Sequence, residues 1–335
     1  MGDVVAPPTL RIHFTLEDLA RTRLAAGPDV MWEIANSLSR LQSRRSSVDF
    51  GRWRSETVPR LGRWVELLLP LVPPTGYFVD FITPAEGARG LAAGVDAVCS
   101  TPRTRLHAEV GLLAAERRLP AWMPRLADAD GEVMARLGRA LQLYHKAALE
   151  PYWSTVVKHV EADRARRTRA FLDGGCEGLL ASLRPGMRWQ PPVLEVDYPV
   201  ERDLHLAGRG LLLVPSFFCW RMPVTLLDED LQPVLVYPVD KDPFFPAPAP
   251  ERSGGTAARR LGALLGNTRA TVLRAVETPC TTTELSRRAE VSIASASQHA
   301  TVLREAGLIS TQRDGSAVRH SLTALGVALL DGAGA

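Results

Sequence analysis

The chain has 335 residues, of which 46% are hydrophobic and 23% charged, and a net charge of +3. This composition is typical of a globular protein with a sizeable core, divided into one large domain or two modest ones. No apolar run reaches the roughly 18 residues that a membrane span needs. The N-terminus has neither the basic start nor the apolar core of a secretory signal. We therefore predict a cytoplasmic protein with no membrane partner.

The four cysteines, Cys99, Cys176, Cys219 and Cys280, form no CxxC or CxC pair, and the histidines form no HExxH or HxH motif. Neighbours in sequence therefore do not predict a metal site, and buried or inert thiols are the favoured interpretation. We predict neither a metal nor a cofactor.

The first half of the chain shows mainly helical patterns. Leu10–Phe14 alternates like a strand, and Thr15 with Asp18 resembles a capping box that opens a helix. Asp29–Gln42 has apolar residues at helical spacing. Further helices are predicted over Arg103–Arg118, Asp130–Leu149 and Tyr152–Leu183, with Pro151 as a break.

After these helices the apolar period changes to two, which predicts strands. The strands are expected at Pro192–Val200, Arg202–Leu206, Gly210–Phe218 and Gln232–Val239, with a turn at Asp228–Asp230. The fold class expected is α+β, with a mostly helical N-terminal domain, residues 1–245, that carries a small antiparallel sheet.

A composition change marks a domain boundary. Tyr237–Gly255 contains five prolines and two glycines, a composition typical of a semi-rigid spacer. All 21 aromatic residues precede Pro250, and the whole net charge lies in residues 251–335, with 10 arginines against 7 acidic residues. We predict a Pro/Gly linker over residues 246–255 and a second domain over residues 256–335. A basic excess of this kind suits phosphate binding.

The second domain has clear start and stop signals. Thr281 or Thr282, with Glu284, predicts the start of one helix. Ser292 predicts the start of a second helix, which Gly307 ends by taking left-handed backbone angles. A hairpin about Asp314-Gly315 and a final helix follow. Helix, short turn, helix and hairpin together predict a winged helix-turn-helix.

The second helix has two different faces. Its inner face consists of Ala296, Ala300 and Leu303, and its outer face of Ala294, Ser297, Gln298 and Thr301. Small polar residues allow a helix to enter the DNA major groove, where a glutamine can bond an adenine edge with two hydrogen bonds. His299 lies between the faces, and both packing and a DNA backbone contact stay open for it. Arg313 and Arg319 flank the hairpin tip, where they can reach phosphates or a minor groove.

The stretch ELSRRAEVSIASASQHATVLREAGLISTQRDGSAVRHSL resembles the ArsR-type winged helix regulators of bacteria. The resemblance covers about Ala257–Leu330, and the longer N-terminal part resembles the extension found in some actinobacterial members. It implies a homodimer that binds an inverted-repeat operator in double-stranded DNA, usually as a repressor released by a signal. It also implies DNA contacts by Ser295, Ser297 and Gln298 on the helix and by Arg313, Ser316 and Arg319 on the wing.

Two departures from the family pattern bear on the signal. The region TTELSRR lacks the paired cysteines of metal-sensing members, and the final helix lacks an Asp/His/Glu cluster. The signal expected is therefore a small molecule and not a metal. An apolar or aromatic effector is the hypothesis, with Trp153, Trp189, Phe217, Phe218 and Trp220 as lining residues. The alternative for each of these aromatics is a place in the core.

Three interpretations of residues 1–245 stay open. They sense a small molecule, they only dimerise or bind a partner protein, or they form an enzyme fused to a DNA-binding module. The chain has no GxSxG motif, no P-loop and no dinucleotide glycine pattern. We predict no catalytic residues and a DNA-binding regulator that is not an enzyme.

Overall fold

The computed structural model of the chain describes residues 8–43, 47–240 and 261–330, apart from residues 263, 277, 315, 316, 324 and 328. The chain divides into two compact units, Met1–Phe245 and Pro246–Ala335. The predicted linker, residues 246–255, lies outside the described residues.

Helices form most of the first unit. They are α1 (Leu16–Arg21), α2 (Val30–Gln42), α3 (Ser47–Thr57), α4 (Leu91–Cys99), α5 (Arg103–Glu116), α6 (Met123–Ala127), α7 (Gly131–Tyr144) and α8 (Trp153–Ala181). Most of them pack on one apolar core, whose largest side chains are Trp53, Tyr144, Tyr152 and Phe50. No helix within the described part of the chain is long and apolar enough to cross a membrane.

Local capping signals set several helix ends. The Thr15–Asp18 capping box is present at α1, and Asp29 caps α2 by accepting hydrogen bonds from the amides of Met31 and Trp32. Helix α1 is short, because the backbone becomes extended at Thr22 and the next two residues form a strand. The two glycines at 174 and 175 interrupt α8 with non-helical angles.

The first unit contains two four-stranded sheets. The first has the order β3-β4-β1-β5, made of β1 (Thr9–His13), β3 (Met187–Gln190), β4 (Val193–Asp197) and β5 (Arg202–His205). The second has the order β2-β6-β8-β7, made of β2 (Arg23–Leu24), β6 (Leu212–Ser216), β7 (Val224–Thr225) and β8 (Val234–Pro238).

The prediction of one small antiparallel sheet is wrong, although a mixture of helices with small sheets is confirmed. Strand β1 lies antiparallel to β4 but parallel to β5, and β6 lies parallel to both β2 and β8. The reason is topological. Strand β1 inserts between two strands that are consecutive in the chain, and β8 returns between β6 and the edge strand β7.

Buried carboxylates connect the helices to the second sheet. Glu33 of α2 is fully buried and accepts hydrogen bonds from the Ser216 hydroxyl at 3.0 Å and from the amides of Phe217 and Phe218 at 2.7 and 2.9 Å. These three groups follow one another at the end of β6. Several donors satisfy the oxygens of this buried carboxylate, so Glu33 acts as a fixed tie between α2 and β6.

Asp80 makes a second tie of this kind. It is 2% exposed and accepts hydrogen bonds from the amides of Leu227 and Asp228, both at 2.8 Å. Burial raises the pKa of Asp80 to about 6, and the nearby Glu109 adds to the rise. The pair of amides opposes the shift without cancelling it.

The raised pKa of Asp80 predicts a pH-dependent stability difference. An Asp with a folded pKa near 6 and an unfolded pKa near 3.9 takes up a proton on folding, so its contribution is favourable at pH 5 and is lost by pH 7 to 8. The free energy of unfolding of Asp80→Asn, measured relative to that of wild type, should therefore rise by about 1 kcal/mol as pH rises from 5 to 8. Thermal unfolding at both pH values measures this, with the exposed Asp173→Asn as a control whose difference stays flat.

The second unit contains three helices whose full ranges are described and a three-stranded sheet, and residues 261–262 and 264–265 are helical as well. Its elements are α9 (Asn267–Ala275), β9 (Cys280–Thr281), α10 (Thr282–Arg288), α11 (Ile293–Glu305), β10 (Ile309–Asp314) and β11 (Ala317–Leu322), with sheet order β10-β11-β9. Residues 325–327 and 329–330 are also helical, where a final helix was predicted. The core is aliphatic and centres on Leu273, Leu285, Ala296, Ala300 and Leu303.

Candidate functional site

Helices α10 and α11 start and end on local signals. Thr281 caps α10, and the capping box with Glu284 is complete, because each residue bonds the other's backbone amide. Ser292 caps α11 by accepting a hydrogen bond from the Ser295 amide at 3.1 Å. Between the helices Glu290 has φ +54°, a left-handed conformation that lets the chain reverse within a few residues. Gly307, at φ +71°, follows the end of α11 as predicted.

The two faces of α11 are as the helical spacing predicts. Ala296, Ala300 and Leu303 are at most 3% exposed. On the opposite side Ala294, Ser297 and Gln298 are exposed, and the residues beside them, Ser295, His299 and Thr301, are partly exposed. The Thr301 hydroxyl donates to the Ser297 carbonyl at 3.0 Å, so its proton is used within the helix and its oxygen and methyl group remain for a partner.

Ile293 adds an apolar side chain to the start of this exposed surface. It is the first residue of α11 and is 55% exposed. A methyl-bearing side chain at this end of a helix suits contact with a thymine methyl group. Ile293 was not among the predicted contact residues, because an isoleucine in an amphipathic pattern predicts burial.

The hairpin β10–β11 is held to α10 through a buried histidine. His320 is 5% exposed, and its two ring nitrogens lie 3.0 Å from the hydroxyls of Thr282 and Thr311. Burial, and then the charge of Arg304, lower the pKa of His320, so the ring is neutral near pH 7. The alternation of Val318, His320 and Leu322 along β11 was the available signal for this inward position.

Two of the three predicted wing residues, Arg313 and Arg319, lie among the described residues. Arg319 is exposed in β11, and its backbone pairs with Gln312 on one side and Thr281 on the other. Arg313 lies in β10 in register with Val318. Ser316 lies outside the described residues.

The described arginines of the second unit form no ion pairs with described acids. Arg269, Arg274, Arg287, Arg288, Arg304 and Arg319 are all exposed. No ion pair joins any two described residues from 261 to 330. One of these side chains is used structurally, because Arg288 donates to the carbonyls of Ala275 and Thr278. The surface of this unit therefore offers positive charge without internal partners, which is what binding to phosphates requires.

Four of the five aromatic residues predicted to line a ligand site lie in or against the helical core, and the fifth, Trp189, lies in a different core. Phe217 and Phe218 are at most 1% exposed and pack with Phe50 in the helical core. Trp189 packs against Phe14 in a different core, formed by the first sheet. Trp153 and Trp220 are partly exposed at the edge of the helical core.

Residues 83–243 match a family model described as a family of unknown function (DUF5937). The matched residues all lie in the first unit and make up less than half of the chain. No curated protein matches the chain, and no solved structure matches it. The comparisons therefore assign the first unit a likeness but no activity.

The contrast between the faces of α11 predicts two different results for the same substitution. Ala296→Leu forces three extra carbon atoms into a closed core and should destabilise the protein by about 1–3 kcal/mol. Ala294→Leu adds the same atoms to an exposed position and should change stability by less than about 0.5 kcal/mol. Thermal unfolding of both variants measures the difference, and equal losses would show that Ala294 is packed.

Proposed function

We propose that this chain is a DNA-binding transcriptional regulator whose second unit is a winged helix-turn-helix. In this proposal α10 and α11 are the helix pair, β10 and β11 form the wing, and α11 is the recognition helix. The ArsR-type resemblance of the sequence supports this function. The regulator would act as a homodimer on an inverted-repeat operator, as a repressor under the control of a small molecule.

The observation that carries the proposal is the surface of α11. Its exposed and partly exposed side chains from Ala294 to Thr301 are small except for Gln298 and His299, and none is a lysine, arginine, aspartate or glutamate. A helix that only faces water usually carries lysine and glutamate, and this face of α11 has neither. Short side chains allow close approach to the bases, and Gln298 can then bond an adenine edge directly.

The distribution of charge supports the same proposal. The exposed arginines of α9, α10 and β11 form no ion pairs among the described residues. Phosphate contacts by such residues place a protein on DNA, and base contacts then select the sequence. In this proposal the arginines of α9, α10 and β11 contact phosphates, and α11 contacts the bases.

Gln298→Ala should weaken binding to the preferred operator and relax the base preference at one position. The expected cost is about 1–3 kcal/mol, because a two-bond contact to a base edge is lost. Operators selected from the DNA upstream of the chain's own gene would be measured beside a random duplex of equal length. Equal losses on both duplexes would show that Gln298 does not read bases.

Arg319→Ala should weaken binding to every sequence alike. A lost phosphate contact also reduces the slope of log K against log salt concentration by about one. Arg188→Ala is the matched control, because Arg188 is an exposed arginine of a strand in the first unit and pairs with Glu195 at 2.8 Å. A loss on the selected operator alone would place Arg319 at a base and not at a phosphate.

A further inference from the structure

The turn after β6 has the position of a ligand site in the first unit. Strand β6 lies between two parallel neighbours, β2 and β8, and ends at Ser216. The carboxyl ends of parallel strands are where many α/β proteins bind ligands. Helix α2 faces this turn with Glu33 and Asn36, which both bond the Ser216 hydroxyl. Arg40 follows on the same face of the helix, seven residues after Glu33.

Arg40 carries a charge that no described residue neutralises. Its guanidinium lies 5.4 Å from the centre of the Trp220 ring. One terminal nitrogen donates to the Ser39 hydroxyl at 2.8 Å, and the buried Nε has no acceptor. No carboxylate within the described residues lies within 4.0 Å of the group. Burial lowers the pKa of Arg40, and the neighbouring Arg54 lowers it further. An unpaired guanidinium in such a place is costly to the fold.

The surroundings of Arg40 add positive charge. Arg221 is exposed, and its guanidinium lies 4.3 Å from the centre of the same Trp220 ring. Its backbone has φ +61°, a strained conformation for a residue with a side chain and one often found at binding sites. The Trp220 indole donates a hydrogen bond to Asp49. Asp49 is thus engaged by the indole and forms no ion pair among the described residues.

We propose that Arg40, Trp220 and Arg221 form a binding site for a small organic anion, whose carboxylate or phosphate pairs with the Arg40 guanidinium. The planar guanidinium matches both groups with two parallel hydrogen bonds. The bound anion supplies the negative charge that no described residue provides to Arg40. Its role as the effector of a regulator rests on the proposed function, whereas its binding does not.

Arg167 shows how a structural arginine is built in the same unit. It is 8% exposed, pairs with the buried Asp163 at 3.0 Å and donates to the Ser182 carbonyl. Asp163 in turn accepts a hydrogen bond from the Tyr237 hydroxyl at 2.6 Å. Arg167→Met leaves the buried Asp163 with only the half-exposed Arg166 as its cation and removes the donor to the Ser182 carbonyl, whereas Arg40→Met removes a charge that no described carboxylate pairs with. The first variant should melt well below wild type and the second at or above it.

The binding test uses the full chain and three probes at constant ionic strength: benzoate, phenyl phosphate and the neutral benzyl alcohol. At least one anion should bind in calorimetry and raise the melting temperature, while benzyl alcohol should do neither. Arg40→Met should weaken that binding at least about tenfold, the loss that corresponds to one charge-assisted hydrogen bond. Arg188→Met should bind like wild type. A preference between the two anions separates a carboxylate ligand from a phosphate ligand.

Two results would overturn the site: binding of neither anion, or equal binding by wild type and Arg40→Met. A melting temperature of Arg40→Met as low as that of Arg167→Met would also overturn it, because Arg40 would then be structural. The affinity for operator DNA is measured separately from anion binding. An anion that binds without changing operator affinity leaves the site intact and removes its effector role, and a chain that binds no DNA contradicts the proposed function alone.

Discussion

The buried carboxylate of Glu33 is the interaction on which the architecture of the first unit most depends. It holds a hydroxyl and two amides that lie more than 180 residues away in the chain. Asp18 does the same for the Gly210 amide at 3.0 Å, and Asp163 for the Tyr237 hydroxyl. Each tie joins a helix to a sheet segment. A buried carboxylate that loses its donors costs several kcal/mol, so these helices and strands must form together.

The sequence predicts what is decided locally and misses what is decided at a distance. The caps at Thr15, Asp29 and Ser292 follow from hydrogen bonds within three residues, and the structure has all of them. Strand direction is different, because a period of two is the same for parallel and antiparallel partners. Nothing local shows that β1 pairs with strands about 190 residues later. The sheets were therefore predicted with the wrong pairing.

The candidate sites show the same limit. In α11 the exposed face could be found by helical spacing, because one side of the helix packs and the other does not. In α2 the same method fails. Met31, Ile34 and Leu38 mark one buried face, and Glu33, Asn36 and Arg40 would then face water. The second sheet covers that side as well, so a polar stripe becomes a buried one. The sequence pattern of a single helix does not show that a second layer covers its polar side.

The two units also differ in what they can recognise. The second unit has no aromatic residue, a small aliphatic core and, among its described residues, exposed arginines outside ion pairs, which the proposed DNA binding would use. The first unit holds all 21 aromatic residues, and its buried carboxylates Glu33, Asp80 and Asp163 each accept hydrogen bonds from nearby donors. The Nε atom of Arg40 is buried and has no hydrogen-bond acceptor among the described residues. A ligand shifts an equilibrium only through its different affinities for the two states. An anion that pairs with Arg40 in only one of two states would provide such a difference.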